Sequence, residues 1–278
     1  MNSNTFSFIS RIQAVRLGFA YAGIVTVFST NVFAGGAIIV DNDEWTLSDS
    51  GFSTEGSANG TAYAQNAAAF LTGGSGSILI YSDNFGLDGV DLKSALTSGG
   101  YSVTEDPGLT TPFTAASLSA YQAIFLAGDT LPAGDSAVLQ SYVNNGGGVY
   151  IAAGTGTISG GSAGEAAQWN SFLNAYDLDL ASNYNGIGGD VPVVSTSPVL
   201  AGVAQLFYDN GNTVSITASG NAQVITYDGT EGLIGTYSAS VPDDTSTLFL
   251  TVVSMALLGM FTIHHRGSSP ASLRTSTQ

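Results

Sequence analysis

Four short apolar runs, each bounded by glycine or polar residues, predict strands that are buried on both faces. They occupy residues 37–40, 78–81, 123–127 and 149–153. Between these runs, apolar residues recur every three or four positions, which is typical of helices with one buried face. The alternation of strands and helices predicts an α/β fold with three layers, in which helices cover both faces of a mainly parallel sheet.

Apolar stripes define the predicted helices. The stripe residues are Tyr63, Ala67, Phe70 and Leu71 in the first helix, Leu92, Ala95 and Leu96 in the second, Val138, Leu139, Tyr142 and Val143 in the third, and Trp169, Phe172, Leu173 and Tyr176 in a fourth over residues 165–176. After Pro198 the pattern changes to two runs, residues 223–227 and 233–237, with an Asp228–Gly229 turn between them. This arrangement predicts a β-hairpin at the end of the domain.

The N-terminal segment, residues 1–34, has two arginines before a mostly apolar run over residues 17–33, and it ends at Ala34 before Gly35. A basic start, an apolar run and a small residue at the end are typical of a secretory signal peptide. We therefore expect export through the Sec pathway and cleavage by signal peptidase between Ala34 and Gly35. The alternative is an uncleaved membrane anchor, because the apolar run is longer than in most signal peptides.

The other end of the chain has an uncharged apolar run of 16 residues, 248–263, followed by two histidines and Arg266. At about 1.5 Å per residue a helix of this length spans about 24 Å, somewhat less than the hydrocarbon core of about 30 Å. Its apolar character on all sides and its basic flank predict a transmembrane helix, with a buried C-terminal helix as the alternative. The rest of the chain then divides into one domain over 35–240, a C-terminal signal over 241–266 and a polar tail over 267–278.

A short motif precedes this apolar run. Its residues are Val241, Pro242, Asp243, Ser246, Thr247 and Leu248. Together with the apolar run and the basic end, the motif resembles the VPDSG-CTERM variant of the PEP-CTERM sorting signals, although Asp244 and Thr245 stand where that variant has serine and glycine. The resemblance implies processing by an exosortase, with transient anchoring in the inner membrane before the protein reaches the cell surface or the extracellular space. The alternative is an ordinary turn before a retained anchor.

The middle of the chain resembles the class I glutamine amidotransferase-like fold. The segments that carry the resemblance are residues 78–81, 121–128, 139–150 and 197–203. The resemblance implies a flavodoxin-like arrangement of the sheet. In active members a strand leads into a glycine-rich elbow that holds a cysteine, supported by a histidine and an acid. This chain has the sequence VYIAAGTG at residues 149–156, so the resemblance implies no catalytic residue here.

Charge and composition narrow the possible functions. All 21 acidic residues lie between Asp41 and Asp244, and Lys93 is the only base in that interval. Such an acidic region repels phosphates and anionic headgroups, which excludes nucleic acid and direct adhesion to a membrane surface. The chain has no cysteine, and both histidines lie in the tail at His264 and His265. Disulfides, thiolate metal sites and cysteine nucleophiles are therefore excluded.

Three aspartates follow predicted strands: Asp41, Asp83 and Asp129. The carboxyl ends of parallel strands lie along one edge of an open sheet, where α/β proteins place their ligands. Clustered carboxylates, with Asp43 and Glu44 nearby, suit a hard cation such as Ca²⁺, which takes oxygen ligands, and Ca²⁺ is the only cofactor that we consider. The alternative is that each aspartate caps a following helix or turn.

Other chemistry has less support in the sequence. Lys93 would be the only base in the domain for a serine or threonine nucleophile. The loop over residues 154–164 is glycine-rich but contains no lysine for a phosphate, so a plain connection is the simpler interpretation. We predict a non-catalytic structural or binding protein of the cell surface or extracellular matrix, with extracellular polysaccharide as its candidate partner. The alternative is a carboxylate-based glycosidase, with Trp45 stacking on sugars.

Overall fold

A seven-stranded sheet forms the centre of the protein in a computed structural model that describes residues 36–127, 135–156 and 160–239. The sheet contains β1 (Ala37–Asp41), β2 (Ser77–Tyr81), β3 (Ser102–Glu105), β4 (Ala123–Ala127), β5 (Gly148–Ala152), β10 (Ala222–Asp228) and β11 (Glu231–Ser238). Two small antiparallel sheets pair β6 (Leu178–Tyr184) with β9 (Asn212–Ile216), and β7 (Gly188–Pro192) with β8 (Gln205–Asp209). The helices are α1 (Asp49–Glu55), α2 (Ser57–Thr72), α3 (Val90–Ser98), α4 (Ala115–Leu118), α5 (Asp135–Asn144) and α6 (Gly161–Leu173).

The strand order of the large sheet is β10-β11-β1-β5-β4-β2-β3. Strands β1 to β5 are parallel to one another, and β11 pairs antiparallel with β1. The parallel part of the sheet therefore has the order β3-β2-β4-β5-β1. The mostly parallel α/β architecture is therefore confirmed.

Alternate side chains of the central strands enter two separate hydrophobic cores. Ile38 of β1 packs with α5 and α6 on one face, and Ile39 packs with α2 and α3 on the other. Both isoleucines have no exposed surface. A strand that is buried on both faces needs apolar side chains on both of them. This explains why the sequences of these strands are continuous apolar runs and not alternating patterns.

The predicted hairpin forms, with one correction. Strands β10 and β11 pair antiparallel, but Asp228 is the last residue of β10 and faces Glu231 across the ladder. The tight connection is therefore Gly229–Thr230 and not Asp228–Gly229. Gly229 has a φ of +57°, a conformation that glycine adopts without strain. The fourth predicted helix also differs, because the α-helix ends at Leu173 and continues as a 3₁₀ turn over Asn174–Tyr176.

The predictions for the two ends of the chain lie outside the described residues. These predictions are the signal peptide with its Ala34–Gly35 junction, the sorting motif, the transmembrane helix over 248–263 and the polar tail. Among the residues that the structure describes, no helix combines the length and the apolar character needed to cross a bilayer.

Candidate functional site

The carboxyl edge of the sheet contains a buried group of four acids, which we call the acidic network: Asp41, Asp43, Glu55 and Glu165. Each has at most 2% of its surface exposed. Asp41 is the last residue of β1. Its Oδ2 atom accepts hydrogen bonds from the hydroxyls of Tyr63 (2.9 Å) and Tyr150 (3.0 Å), both fully buried. Burial raises the pKa of Asp41 to about 7, and the nearby charge of Asp43 adds to the shift that the two hydroxyls oppose.

Asp43 and Glu165 form the second half of the network. Asp43 accepts backbone hydrogen bonds from Trp45 (3.0 Å) and from Asp209. Burial raises the pKa of Asp43 to about 7. Glu165, on α6, accepts a hydrogen bond from the Thr155 backbone at 3.3 Å through Oε1. Burial likewise raises the pKa of Glu165 to about 7, and the charge of Asp43 adds to this shift.

Glu55 joins the network from the end of α1. Its Oε2 atom accepts a hydrogen bond from the backbone of Phe207 in β8 at 2.9 Å. Its Oε1 atom has no hydrogen-bond partner among the described residues. Burial raises the pKa of Glu55 to about 8, with contributions from the charges of Asp41 and Asp190.

Asp106, directly after β3, shows what distinguishes the network from an ordinary strand-end acid. It accepts hydrogen bonds from the backbone of Thr110 (2.9 Å), the Thr110 hydroxyl (3.0 Å) and the backbone of Thr111 (2.6 Å). Although burial opposes its charge, these donors lower the pKa of Asp106 to about 2. The network acids lie deeper in the protein, where the cost of burying a charge outweighs the hydrogen bonds that they accept, so they hold protons near neutral pH. Because they interact with one another, they titrate as a group.

Three loops meet beside the network with no space for additional atoms. The Asn42 carbonyl accepts a hydrogen bond from the Asn212 backbone at 3.1 Å. A Cβ atom on Gly154 would lie 2.7 Å from the same oxygen, and one on Gly211 would lie 1.8 Å from it. Gly154 also has a φ of +77°. The glycines therefore allow the β1, β5 and β8 loops to approach closely enough to seal the acids from water.

We expect Gly211→Ala to lower the free energy of unfolding by about 2 kcal/mol, because the new methyl group would overlap the Asn42 carbonyl and force the backbone to move. Chemical denaturation monitored by circular dichroism measures this loss. Gly188→Ala is the matched control, since its Cβ would find its nearest atoms at 3.9 and 4.0 Å. Equal stability of the two variants would show that the loops adjust without cost.

The strand-end aspartates predicted as a cation site have different surroundings. Asp41 is buried against two tyrosines, whereas Asp83 is exposed, and Asp129 lies outside the described residues. Within the described ranges, no three Asp, Glu, His or Cys side chains are placed to hold a metal ion. The calcium site stays a prediction because one of its three aspartates is not described.

The segment over residues 149–156, where active members of the resembling fold have their elbow, contains Thr155, which is 5% exposed. Its neighbour Glu165 was not predicted as a site residue, although an acid four positions before Trp169 on an apolar stripe was a signal of a buried charge. Lys93, the sequence candidate for a base, is exposed and forms an ion pair with Glu105. It lies on α3, and its partner lies at the end of β3.

An open groove of about 580 Å³ lies away from the acidic network, along β10 and the segment from Val194 to Pro198. Its lining contains serine, threonine and apolar side chains, with Gln223 and Tyr227 from β10, but no carboxylate. The groove therefore has no group that could provide acid or base chemistry near neutral pH. The carboxyl edge remains the place where titratable groups concentrate.

No protein-family model, characterised protein or solved structure matches this chain.

Proposed function

We propose that the protein is exported, processed by an exosortase and delivered to the cell surface or the extracellular matrix, where its domain has a non-catalytic structural or binding role. The export and processing steps rest on the sequence patterns at the two ends of the chain. The glutamine amidotransferase-like resemblance is compatible with the mostly parallel sheet. The role of the domain rests on the chemistry at its carboxyl edge.

The observation that supports a non-catalytic role is the closure of this edge by the protein's own groups. The acids with a pKa near neutrality are the natural candidates for acid–base chemistry. Each of them is buried and accepts hydrogen bonds from the protein itself, as Asp41 does from Tyr63 and Tyr150. A glycosidase needs two carboxyl groups that reach the scissile bond of a bound sugar. Acids enclosed in this way contact groups of the domain itself and not a bound sugar.

Mass spectrometry of the mature protein tests the export and processing steps. We expect an N-terminus at Gly35 and a C-terminus before the apolar run that begins at Leu248, in protein from the surface or the medium. An intact C-terminus found only in the inner membrane fraction would contradict processing and would leave a simple anchored protein.

A second experiment tests the role of the domain. The purified protein is incubated with a panel of labelled extracellular polysaccharides, and both binding and chain length are measured. We expect saturable binding without shortening of the chains. Turnover that is abolished by a single change, such as Glu165→Gln, would replace the binding role with the glycosidase alternative.

A further inference from the structure

Three aromatic rings form a cluster at the carboxyl edge, outside the acidic network. Trp45 lies after β1, Phe85 lies in the loop after β2, and Phe207 belongs to β8. The ring centroids of Trp45 and Phe85 are 4.7 Å apart, and those of Trp45 and Phe207 are 6.3 Å apart, both in edge-to-face orientation. Phe85 is 44% exposed, and the other two rings are partly exposed. We call these three residues the aromatic cluster.

The loop that carries Phe85 is held in one conformation by hydrogen bonds on both sides of that residue. The Asn84 backbone N–H donates to the Ser82 hydroxyl oxygen (3.0 Å), and the Asn84 side-chain oxygen accepts from the Gly86 backbone (2.7 Å). Its side chain also donates to Glu44 at 2.5 Å. An apolar ring exposed by such an ordered loop needs no rearrangement before it meets a ligand, which lowers the cost of binding.

The surroundings of the cluster are negatively charged. Asp83 and Asp88 lie in the same loop as Phe85, Asp49 lies at the start of α1, and all three are exposed. The Asp91 backbone donates a hydrogen bond to Asp49 Oδ1 at 2.9 Å, so Asp49 lies beside the end of the loop that carries Asp83 and Asp88. The only base between Asp41 and Asp244 is Lys93, and it pairs with Glu105. The negative field at this edge is therefore not neutralised by the domain itself.

We propose that the aromatic cluster, with Asp83 and Asp88, binds an organic ammonium group carried by an amino sugar. Aromatic faces attract ammonium groups within about 6 Å of the ring, and nearby carboxylates strengthen this attraction. An anionic polysaccharide would be repelled by the same field. An amino sugar combines the cationic group with a ring whose apolar face can pack on Phe85. This inference rests on the proposed binding role and assigns it a ligand class.

Two oligosaccharides of equal length distinguish the effect of charge on binding from the effect of sugar shape. Isothermal titration of the full-length chain in mild detergent is carried out with a glucosamine hexamer and with its N-acetylated counterpart, at pH 6. We expect the glucosamine hexamer to bind at least tenfold more tightly, because only its amines are charged. The difference should shrink at high salt, where screening weakens the attraction of exposed charges.

Variants with matched controls locate the site. We expect Phe85→Ala and Asp83→Asn each to weaken binding at least fivefold. The controls are Tyr227→Ala and Asp228→Asn, which change an aromatic residue and an acid that are also exposed. Both belong to β10, an edge strand of the large sheet that contributes no residue to the aromatic cluster. They should bind the glucosamine hexamer as the unmodified protein does.

Each contrary result has its own meaning. Equal affinity for the two hexamers, or equal losses in the control variants, would overturn the ammonium site. A lysine tetrapeptide that binds more tightly than the glucosamine hexamer, with the same dependence on Phe85, would overturn the amino sugar as the carrier. Absence of binding to either hexamer would overturn this inference alone, whereas release of shortened sugar chains would overturn the proposed function.

Discussion

The domain should be most stable near pH 4 to 5 and should lose stability as the pH rises towards 8. The four network acids have pKa values of about 7 to 8 in the folded protein, above the ordinary values of about 4. Between these limits the folded state retains protons that the unfolded chain releases. The free energy of unfolding therefore falls with rising pH in this window, by the linkage between proton binding and folding.

The size of this effect follows from the shifts. One pKa unit corresponds to about 1.4 kcal/mol, so the four shifts taken separately would exceed the total stability of an ordinary domain of about 5–15 kcal/mol. Coupling and local relaxation reduce the sum, and we expect a loss of about 4 kcal/mol between pH 5 and pH 8. For a domain of this size the melting temperature would fall by about 10 °C.

The loss of stability that we expect at low pH has the opposite cause. Hydrogen bonds from Thr110 and Thr111 lower the pKa of Asp106 to about 2, below its ordinary value of 3.8, despite its burial. Its contribution to stability is complete above the ordinary value and is lost as the pH falls through about 2. Thermal melts followed by circular dichroism from pH 2 to 9, at constant ionic strength, should therefore show a maximum. A melting temperature that rises steadily from pH 5 to 8 would contradict the protonated network.

The Glu55→Gln variant measures how much of the pH dependence of stability comes from one residue. Glutamine preserves an oxygen that can accept from the Phe207 backbone but cannot ionise, and Glu55 has the highest of the four network pKa values, about 8. We expect the variant to lose about 2 kcal/mol less than the unmodified protein between pH 5 and pH 8. Asp228→Asn, an exposed control, should leave the slope unchanged. An unaltered slope in both variants would place the titration elsewhere.

The central strands were predictable because burial on two faces produces a continuous apolar run in the sequence. Strand β4 was predicted at its observed limits, Ala123–Ala127. Strand β3 was not predicted, because it is an edge strand in which exposed and partly buried residues alternate over only four positions. The small sheets were also missed. Strand β7, Gly188–Pro192, contains two glycines and a proline, and it exists through its pairing with β8 rather than through local preference.

The acidic network was only partly predictable. The position of Asp41 at the end of a buried strand drew attention to it, but as a candidate calcium ligand and not as a member of a buried network. Its partners are 22 and 109 positions away in sequence, and both are tyrosines on apolar stripes or strands, where the sequence indicates only a core. Glu55 and Glu165 lie on helices, and their roles depend on backbone groups that the fold brings to them. Sequence spacing carries no information about such pairings between distant elements.

Replacement of Asp41 by alanine should be the most damaging single change in the network. It would leave the hydroxyls of Tyr63 and Tyr150, both with no exposed surface, without the acceptor that they share. Each buried hydroxyl without a partner costs about 1–3 kcal/mol. We expect a total loss of about 4 kcal/mol at pH 5, where Asp41 is protonated and no buried charge is removed. Asp41→Asn, which keeps an acceptor oxygen, should lose less than half as much.

The decisive measurement is a rescue. Tyr63→Phe and Tyr150→Phe remove the hydroxyls that Asp41→Ala leaves unpaired, and replacement of both sides of a hydrogen bond by apolar groups is far less costly than removal of one side. The triple variant should therefore be more stable than the sum of the separate losses predicts, by about 2 kcal/mol in denaturation experiments at pH 5. Additive losses would mean that the tyrosines stabilise the domain through their rings alone. In that case the carboxyl edge would be held closed by packing, and the hydrogen bonds to Asp41 would contribute little.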